Sequence, residues 1–199
     1  ARFQKRYRAR GFTDDQLAVV QCPVGLDIGA MTPGEIAVSI VAEMIAVRRW
    51  DIYRDPFEDS AHFERYIDQT SGTFMWLAAR SLGPASEPVV RDFAFASGLA
   101  NWFRAIPELE ANRRVPLLDG TADGVRFLAE QGLERLARAR AHRPQISSES
   151  GAALLAGWQA ERILKQAAAT PETVVNGTLG TSEARKRLSL MVQSATGRW

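Results

Sequence analysis

A short polar segment near the middle of the chain has the residue types that come closest to catalytic chemistry. Asn101, Arg104 and Glu108 follow one another at intervals of three and four, which places them on one face of a helix. Ala105 and Leu109 share that face. Mg²⁺ bound beside a phosphate needs hard oxygen ligands, and these two side chains supply none. Glu108 alone is a poor metal site, and an ordinary helix end with solvated polar groups is the competing interpretation.

The same segment resembles the second aspartate-rich motif of the squalene/phytoene synthases, N-x-x-R-D-x-x-E-D followed by G-R-x-Y-L-P. Six residues match in register: Asn101, Arg104, Glu108, Arg114, Val115 and Leu117. The resemblance implies that the two aspartates hold Mg²⁺ against the diphosphate of an allylic substrate. Ala105 and Leu109 occupy those positions, and Pro107 between them is expected to kink or end the helix. We therefore predict a degenerate motif and assign it no catalytic residue.

A second acidic pair, Asp51 and Asp55, has the D-x-x-x-D spacing that could replace the lost metal ligands. Pro56 follows at once, so Asp55 is expected at or beyond a helix end, where a carboxylate faces an unfavourable dipole. With Asp59 nearby, a solvated turn is the competing interpretation. The resemblance keeps the metal role open, since an acidic residue near Asp51 recurs in that family.

The beginning of the chain carries a different resemblance. The string G-L-D-I-G-A-M-T-P-G-E-I-A, from Gly25 to Ala37, is similar to the carboxyl end of the XdhC/CoxI molybdenum-cofactor chaperones. It covers the last strand and helix of their Rossmann-like domain, so the nucleotide-binding portion would lie upstream. We predict an XdhC-like segment over residues 1–49. Residues 50–199 are predicted to form a squalene/phytoene synthase-like helical domain without the family's amino-terminal helices.

The junction between these two resemblances, at residues 48–50, is the basis of a further hypothesis. We interpret it as a splice in a metagenomic, misassembled or artificial sequence. The chain begins with Ala1 rather than methionine, and we expect it to be a fragment.

Composition excludes several classes of function. The 25 basic residues are spread along the chain and the net charge is only +2, so we expect no nucleic-acid partner. One cysteine, Cys22, allows no internal disulfide, and His62 and His142 stand far apart without a nucleophile pattern. The apolar run Ile36–Val47 is too short to span a bilayer. It predicts a buried helix and no transmembrane segment. The single cysteine favours a reducing compartment, so we expect a cytoplasmic protein, with peripheral contact with a membrane left open.

Helical periodicity and capping signals extend over nearly the whole sequence. They predict an all-α fold: a partial isoprenoid-synthase-like helical bundle with an N-terminal helix-loop-helix appendage. Residues 21–30 are the one plausible short strand or ordered loop. Helices are expected over 2–9, from Thr13, over 32–49, 60–82, 87–106, 122–140 and 151–169, and from Thr170 and Thr181.

Three functions remain as alternatives. The first is a non-catalytic member of the squalene/phytoene synthase fold without a cofactor, acting as a scaffold or lipid-contacting assembly factor. Relatives of this kind include mitochondrial assembly factors for respiratory complex I, and a prenyl diphosphate, a lipid or a protein would be its partner. The second is an active Mg²⁺-dependent head-to-head prenyltransferase, with Asp51 and Asp55 as metal ligands and Arg104, Glu108 and Arg114 at the diphosphate. The third is a fragment of a molybdenum-cofactor chaperone.

Overall fold

The computed structural model describes residues 33–48, 50–53 and 55–199. The strand or loop predicted at 21–30 and the helices predicted before it lie outside these residues. Every regular element among the described residues is a helix, which confirms the all-α class. Contacts divide the chain into two units, residues 1–49 and residues 50–199.

Helix α1 in the first unit spans Pro33–Arg48, close to its predicted bounds. The sequence predicts that this helix is buried against the rest of the chain or a second copy, and Val38, Val41 and Ile45 are 60%, 52% and 60% exposed in the single chain. Apolar side chains surround this helix on nearly all sides, so some remain outside whichever face is covered. Among the described residues, no helix combines the length and apolar character needed to cross a membrane.

The second unit opens with α2 (Trp50–Tyr53), α3 (Ser60–Ile67) and α4 (Thr73–Leu82), and a π-helical turn, Asp68–Gly72, joins the last two. A single helix was predicted over residues 60–82, where Phe63, Tyr66, Ile67 and Phe74 follow the helical repeat. Phe63, Tyr66 and Ile67 are buried, but Phe74 is 52% exposed. A π turn inserts an extra residue into the helical repeat. It rotates the later positions, so Phe74 leaves the buried side.

Helix α5 (Glu87–Ala111) is the centre of this unit, and Phe93, Phe95 and Phe103 on it are fully buried. Its predicted end near Ile106 is wrong, since the helix continues through Pro107 for another turn. Trp102, Phe103 and Ile106 are packed into the core on the preceding turn. This tertiary packing holds the helix where proline alone would favour a break.

The remaining helices are α6 (Ala122–Ala141), α7 (Ser148–Leu154), α8 (Ala160–Ala169), α9 (Glu172–Val175) and α10 (Glu183–Thr196). The single helix predicted over 151–169 is wrong, because a 3₁₀ turn, Leu155–Gly157, separates α7 from α8. The turn presses Gly157 against Phe93, where an added Cβ would lie 2.6 Å from the ring. Gly157, within the turn, is thus the small residue that allows this close approach.

Helices α5, α6 and α8 meet at Gly132. A Cβ added there would lie 2.9 Å from Leu99 of α5 and 3.0 Å from Leu164 of α8. Both leucines are fully buried. This three-helix contact is the core that fixes α5 and α6, the helices that carry the candidate sites.

Candidate functional site

The face of α5 that carries the degenerate motif points away from the core. Asn101, Arg104 and Glu108 are exposed, while Ala105 and Leu109 are half-buried. The opposite face carries the buried Trp102, Phe103 and Ile106. The motif residues therefore share one helix face, as predicted, but that face offers a single carboxylate to any ligand.

Beyond the end of α5, the chain turns and brings Arg114 to Asp51. Arg113 adopts a left-handed conformation with φ 60°, at the position where the family motif has glycine. Arg114 Nη1 donates to the backbone carbonyl oxygen of Asp51 at 3.0 Å. The same nitrogen lies 3.8 Å from the side-chain Oδ1 of Asp51. The Tyr66 hydroxyl donates to the same Oδ1 at 2.6 Å. Asp51 is thus held by a phenol and a guanidinium.

The two candidate metal ligands, Asp51 and Asp55, therefore differ in their surroundings. Asp51 already accepts a short hydrogen bond and lies beside a cation, whereas Asp55 is exposed. Over the ranges that the structure describes, no group of three or more His, Cys, Asp or Glu side chains could hold a metal ion. A hard divalent cation needs several oxygen ligands at once, and the donors around Asp51 do not fit one.

Replacing Tyr66 by phenylalanine is expected to lower the free energy of unfolding by about 1–2 kcal/mol, because a hydrogen bond to a charged acceptor is lost while the ring is kept. Chemical denaturation measures the change. Asp51→Asn is the matched control, because an amide oxygen still accepts from the Tyr66 hydroxyl, and it should cost less. An unchanged midpoint in Tyr66→Phe would contradict a structural role for this contact.

An aromatic cluster lies beside this contact. Phe57, Phe63, Tyr66 and Trp102 meet edge to face, with ring centroids 5.0–6.0 Å apart. Trp102 Nε1 donates to the Pro116 carbonyl oxygen at 3.0 Å. Aromatic edge-to-face pairs and a satisfied indole N–H are both stabilising. The cluster therefore anchors the segment after α5 to α3.

A cavity of about 450 Å³ opens on the other side of Phe63. Helix α3, the segment after α5 and the first turns of α6 enclose it. The residues that line it are largely apolar. Two of these side chains, Leu118 and Phe127, are 49% and 67% exposed, which is high for large apolar residues. A cavity of this size with apolar walls is typical of a small-molecule site.

The charges around the cavity are negative. Glu64, Asp119 and Asp123 are among its lining residues, and the lining that the structure describes contains no lysine or arginine. Two of these carboxylates are paired with arginines outside the lining: Arg135 Nη2 lies 2.5 Å from Glu64 Oε2, and Arg126 Nη1 lies 2.6 Å from Asp123 Oδ1. The hydroxyl and backbone N–H of Thr121 lower the pKa of Asp119, which stays ionised at neutral pH. Among the described residues, Asp119 is therefore the one of these three carboxylates without an ion pair, and the lining offers no basic side chain to a diphosphate. Such a rim suits an uncharged chain.

The cavity was not predicted from the sequence, although Phe127 on α6 is a signal for it. The buried stripe of α6 consists of Val125, Ala129, Gly132, Leu136 and Ala139, which follow the helical repeat. Phe127 stands off that stripe. A single exposed apolar residue is common on protein surfaces, so Phe127 becomes informative only together with Leu117 and Leu118, which line the same cavity.

Both families that the sequence resembles match part of the chain, with bounds that differ from the predicted ones: the two matches overlap over residues 30–44, and residues 118–199 lie outside both. Residues 30–117 match the squalene/phytoene synthase family, and residues 1–44 match the XdhC Rossmann domain. An uncharacterized protein of Escherichia coli (strain K12), YqeB, is 41% identical over 46 residues, which are 23% of this chain and 8% of that protein. The chain thus spans a small part of that relative. No solved structure matches the chain.

Proposed function

We propose, from the squalene/phytoene synthase match over residues 30–117, that this chain is a non-catalytic protein of that type. It acts as a helical scaffold that holds an apolar chain instead of ionising a prenyl diphosphate. The observation that carries the proposal is the motif face of α5. Where the family pattern has two metal-binding aspartates, this face has the half-buried Ala105 and Leu109.

The charged residues that remain support the same function. Arg114 would contact diphosphate in an active member, but here its side chain is only 9% exposed and is directed to Asp51. Departure of a diphosphate needs metal ions that neutralise the developing charge. Glu108 is exposed and stands alone between Ala105 and Leu109 on its face, so we expect ionisation to be lost.

The cavity between α3 and α6 supports a lipid-contacting role. It is large enough for part of a prenyl or acyl chain, and Phe63, Leu117 and Phe127 supply apolar walls. Asp119, which has no ion pair among the described residues, would oppose an anionic head group, and the lining holds no basic side chain to pair with one. The ligand class we propose is therefore an uncharged apolar chain.

An activity assay separates this function from its main alternative, an active prenyltransferase, which the family match favours. The protein is incubated with farnesyl or geranylgeranyl diphosphate and Mg²⁺, and products are measured by mass spectrometry. We expect no condensed product. A product that disappears in Asp51→Asn, which keeps the acceptor for Tyr66, would overturn the non-catalytic proposal.

Placing a charge in the cavity wall is expected to weaken ligand binding. In Phe127→Asp, the affinity for farnesol, an uncharged probe, should fall at least about tenfold, because a large apolar contact is lost. Val175→Asp is the matched control: Val175 is 49% exposed on α9 and does not line the cavity. Fluorescence competition measures both affinities. Equal affinity in the two variants would contradict a ligand site in this cavity.

The match of residues 1–44 favours a second candidate function, a fragment of a molybdenum-cofactor chaperone. Binding of molybdopterin by the purified chain tests it. We expect no binding, since the match covers only residues 1–44 of the purified chain. Saturable binding would support the chaperone function.

A further inference from the structure

Helix α10 packs on the second unit with its polar side. None of its residues is buried, and the half-buried ones are polar: Lys186, Ser189 and Gln193. Gln193 Nε2 donates to the Trp158 carbonyl oxygen at 3.3 Å, and Arg162 Nη2 of α8 donates to Ser189 Oγ at 3.4 Å. The side of α10 that faces the protein is therefore hydrophilic.

The outward side of α10 is apolar. Leu188, Met191 and Val192 are 63%, 69% and 54% exposed, and their spacing of three and four residues places them on one face. An ordinary surface helix has the reverse arrangement, with its apolar stripe toward the core. An apolar face turned outward indicates a surface that contacts something else.

Contacts at both ends of α10 fix this orientation. Before the helix, Arg162 Nη1 donates to Thr181 Oγ1 at 3.3 Å. After it, the Trp199 ring packs edge to face on Phe93 at 5.1 Å and is 4% exposed. Arg140 Nε also donates to the Trp199 carbonyl oxygen at 3.2 Å. The helix cannot turn its apolar face inward without breaking these contacts.

Two arginines border the apolar face. Arg185 lies three residues before Leu188, and Arg187 lies four before Met191, so one stands near each edge of the face. Both are exposed. From Glu183 to Trp199 the side chains carry four positive charges and one negative charge, a net +3. Glu183, the one acid, already pairs with Lys186 at 2.7 Å.

We infer that α10 binds the surface of an anionic lipid bilayer, with its axis in the plane of the membrane. The apolar side chains enter the boundary between head groups and acyl chains, and the bordering arginines pair with lipid phosphates. The positive charge of the bordering arginines favours an anionic membrane over a second copy of the chain as the partner of this face. Two such faces would bring arginines against arginines, and three large side chains are too few for a stable dimer interface. The inference goes beyond the proposed function and does not depend on the cavity.

Vesicle flotation with the full chain tests the inference. Wild-type protein should float with vesicles of phosphatidylcholine and phosphatidylglycerol, and added salt should weaken this binding. It should float poorly with phosphatidylcholine alone. Replacing both arginines, Arg185→Gln with Arg187→Gln, should weaken binding to the anionic vesicles about 30-fold. Replacing Leu188 and Met191 by glutamine should weaken it at least about tenfold.

Val175→Gln is the matched control for the apolar variant, since Val175 is exposed on another helix, and it should float like wild type. All substituted residues are exposed, so circular dichroism should show unchanged helix content. Failure of wild type to float, equal flotation with both vesicle types, or flotation of the apolar variant like wild type would overturn the inference. A wild-type dimer that does not float and becomes monomeric in the apolar variant would overturn it in favour of a second copy.

Discussion

Replacing Trp102 by alanine is expected to lower the free energy of unfolding by about 3–5 kcal/mol, the range for truncating a large buried aromatic side chain. Trp102 is 8% exposed and contacts Phe57, Phe63 and Tyr66 edge to face. Its N–H also holds the Pro116 carbonyl oxygen. The substitution leaves a void between α3 and α5 and releases the segment that carries Arg114.

Trp102→Phe is the graded control, because it keeps an aromatic ring and loses the N–H donor. We expect it to cost clearly less than alanine. Denaturant titration followed by circular dichroism measures both variants, and Tyr66→Phe combined with Trp102→Ala should be less than additive, since the two side chains touch. A loss below about 1 kcal/mol in Trp102→Ala, the level of an ordinary surface change, would contradict the anchoring role of this cluster.

Replacing Leu164 by alanine is expected to lower the free energy of unfolding by about 2–5 kcal/mol. Leu164 is fully buried where α8 crosses α5 and α6 at Gly132. Leu190→Ala is the matched control, since Leu190 is 38% exposed on α10, and it should be near neutral. Thermal or denaturant unfolding compares the two variants directly.

The contact between Gly132 and Leu164 predicts that the stability effects of substitutions at these two positions are coupled. Gly132→Ala alone should be destabilising, because the new Cβ would approach Leu99 and Leu164 to about 3 Å. With Leu164 shortened to alanine, part of that clash disappears. The double variant should therefore be more stable than the sum of the two single losses by about 0.5 kcal/mol or more. Strict additivity would contradict the close approach of α6 to α8.

How far the sequence predicts the fold differs from helix to helix. The N-cap Thr121 predicts the start of α6, and Gly83 predicts the end of α4; the structure confirms both boundaries within one residue. The π turn at Asp68–Gly72 and the 3₁₀ turn at Leu155–Gly157 were missed. Both arise from contacts with α5: a Cβ on Gly98 of α5 would lie 2.8 Å from the Ser71 Cβ, and Gly157 touches Phe93. Tertiary packing of this kind leaves no local signal.

For the candidate site, the sequence predicts composition better than placement. The identities of Ala105 and Leu109 are enough to predict that the carboxylates of the family motif are missing. The contact from Arg114 to Asp51 spans 63 positions along the chain, and periodicity carries no information on such pairs. The outward apolar face of α10 was also missed, because a helical repeat shows that a face is apolar and not which way it points.

We propose that this chain has lost metal-dependent binding of a prenyl diphosphate. Calorimetric titration with a non-hydrolysable farnesyl thiodiphosphate, with and without Mg²⁺, measures that binding. We predict no binding, or weak binding through the farnesyl chain that is the same in both conditions. Tight binding that requires Mg²⁺ and is lost in Asp51→Asn would contradict the claim, because Asp51 would then have taken over the role of the missing aspartates.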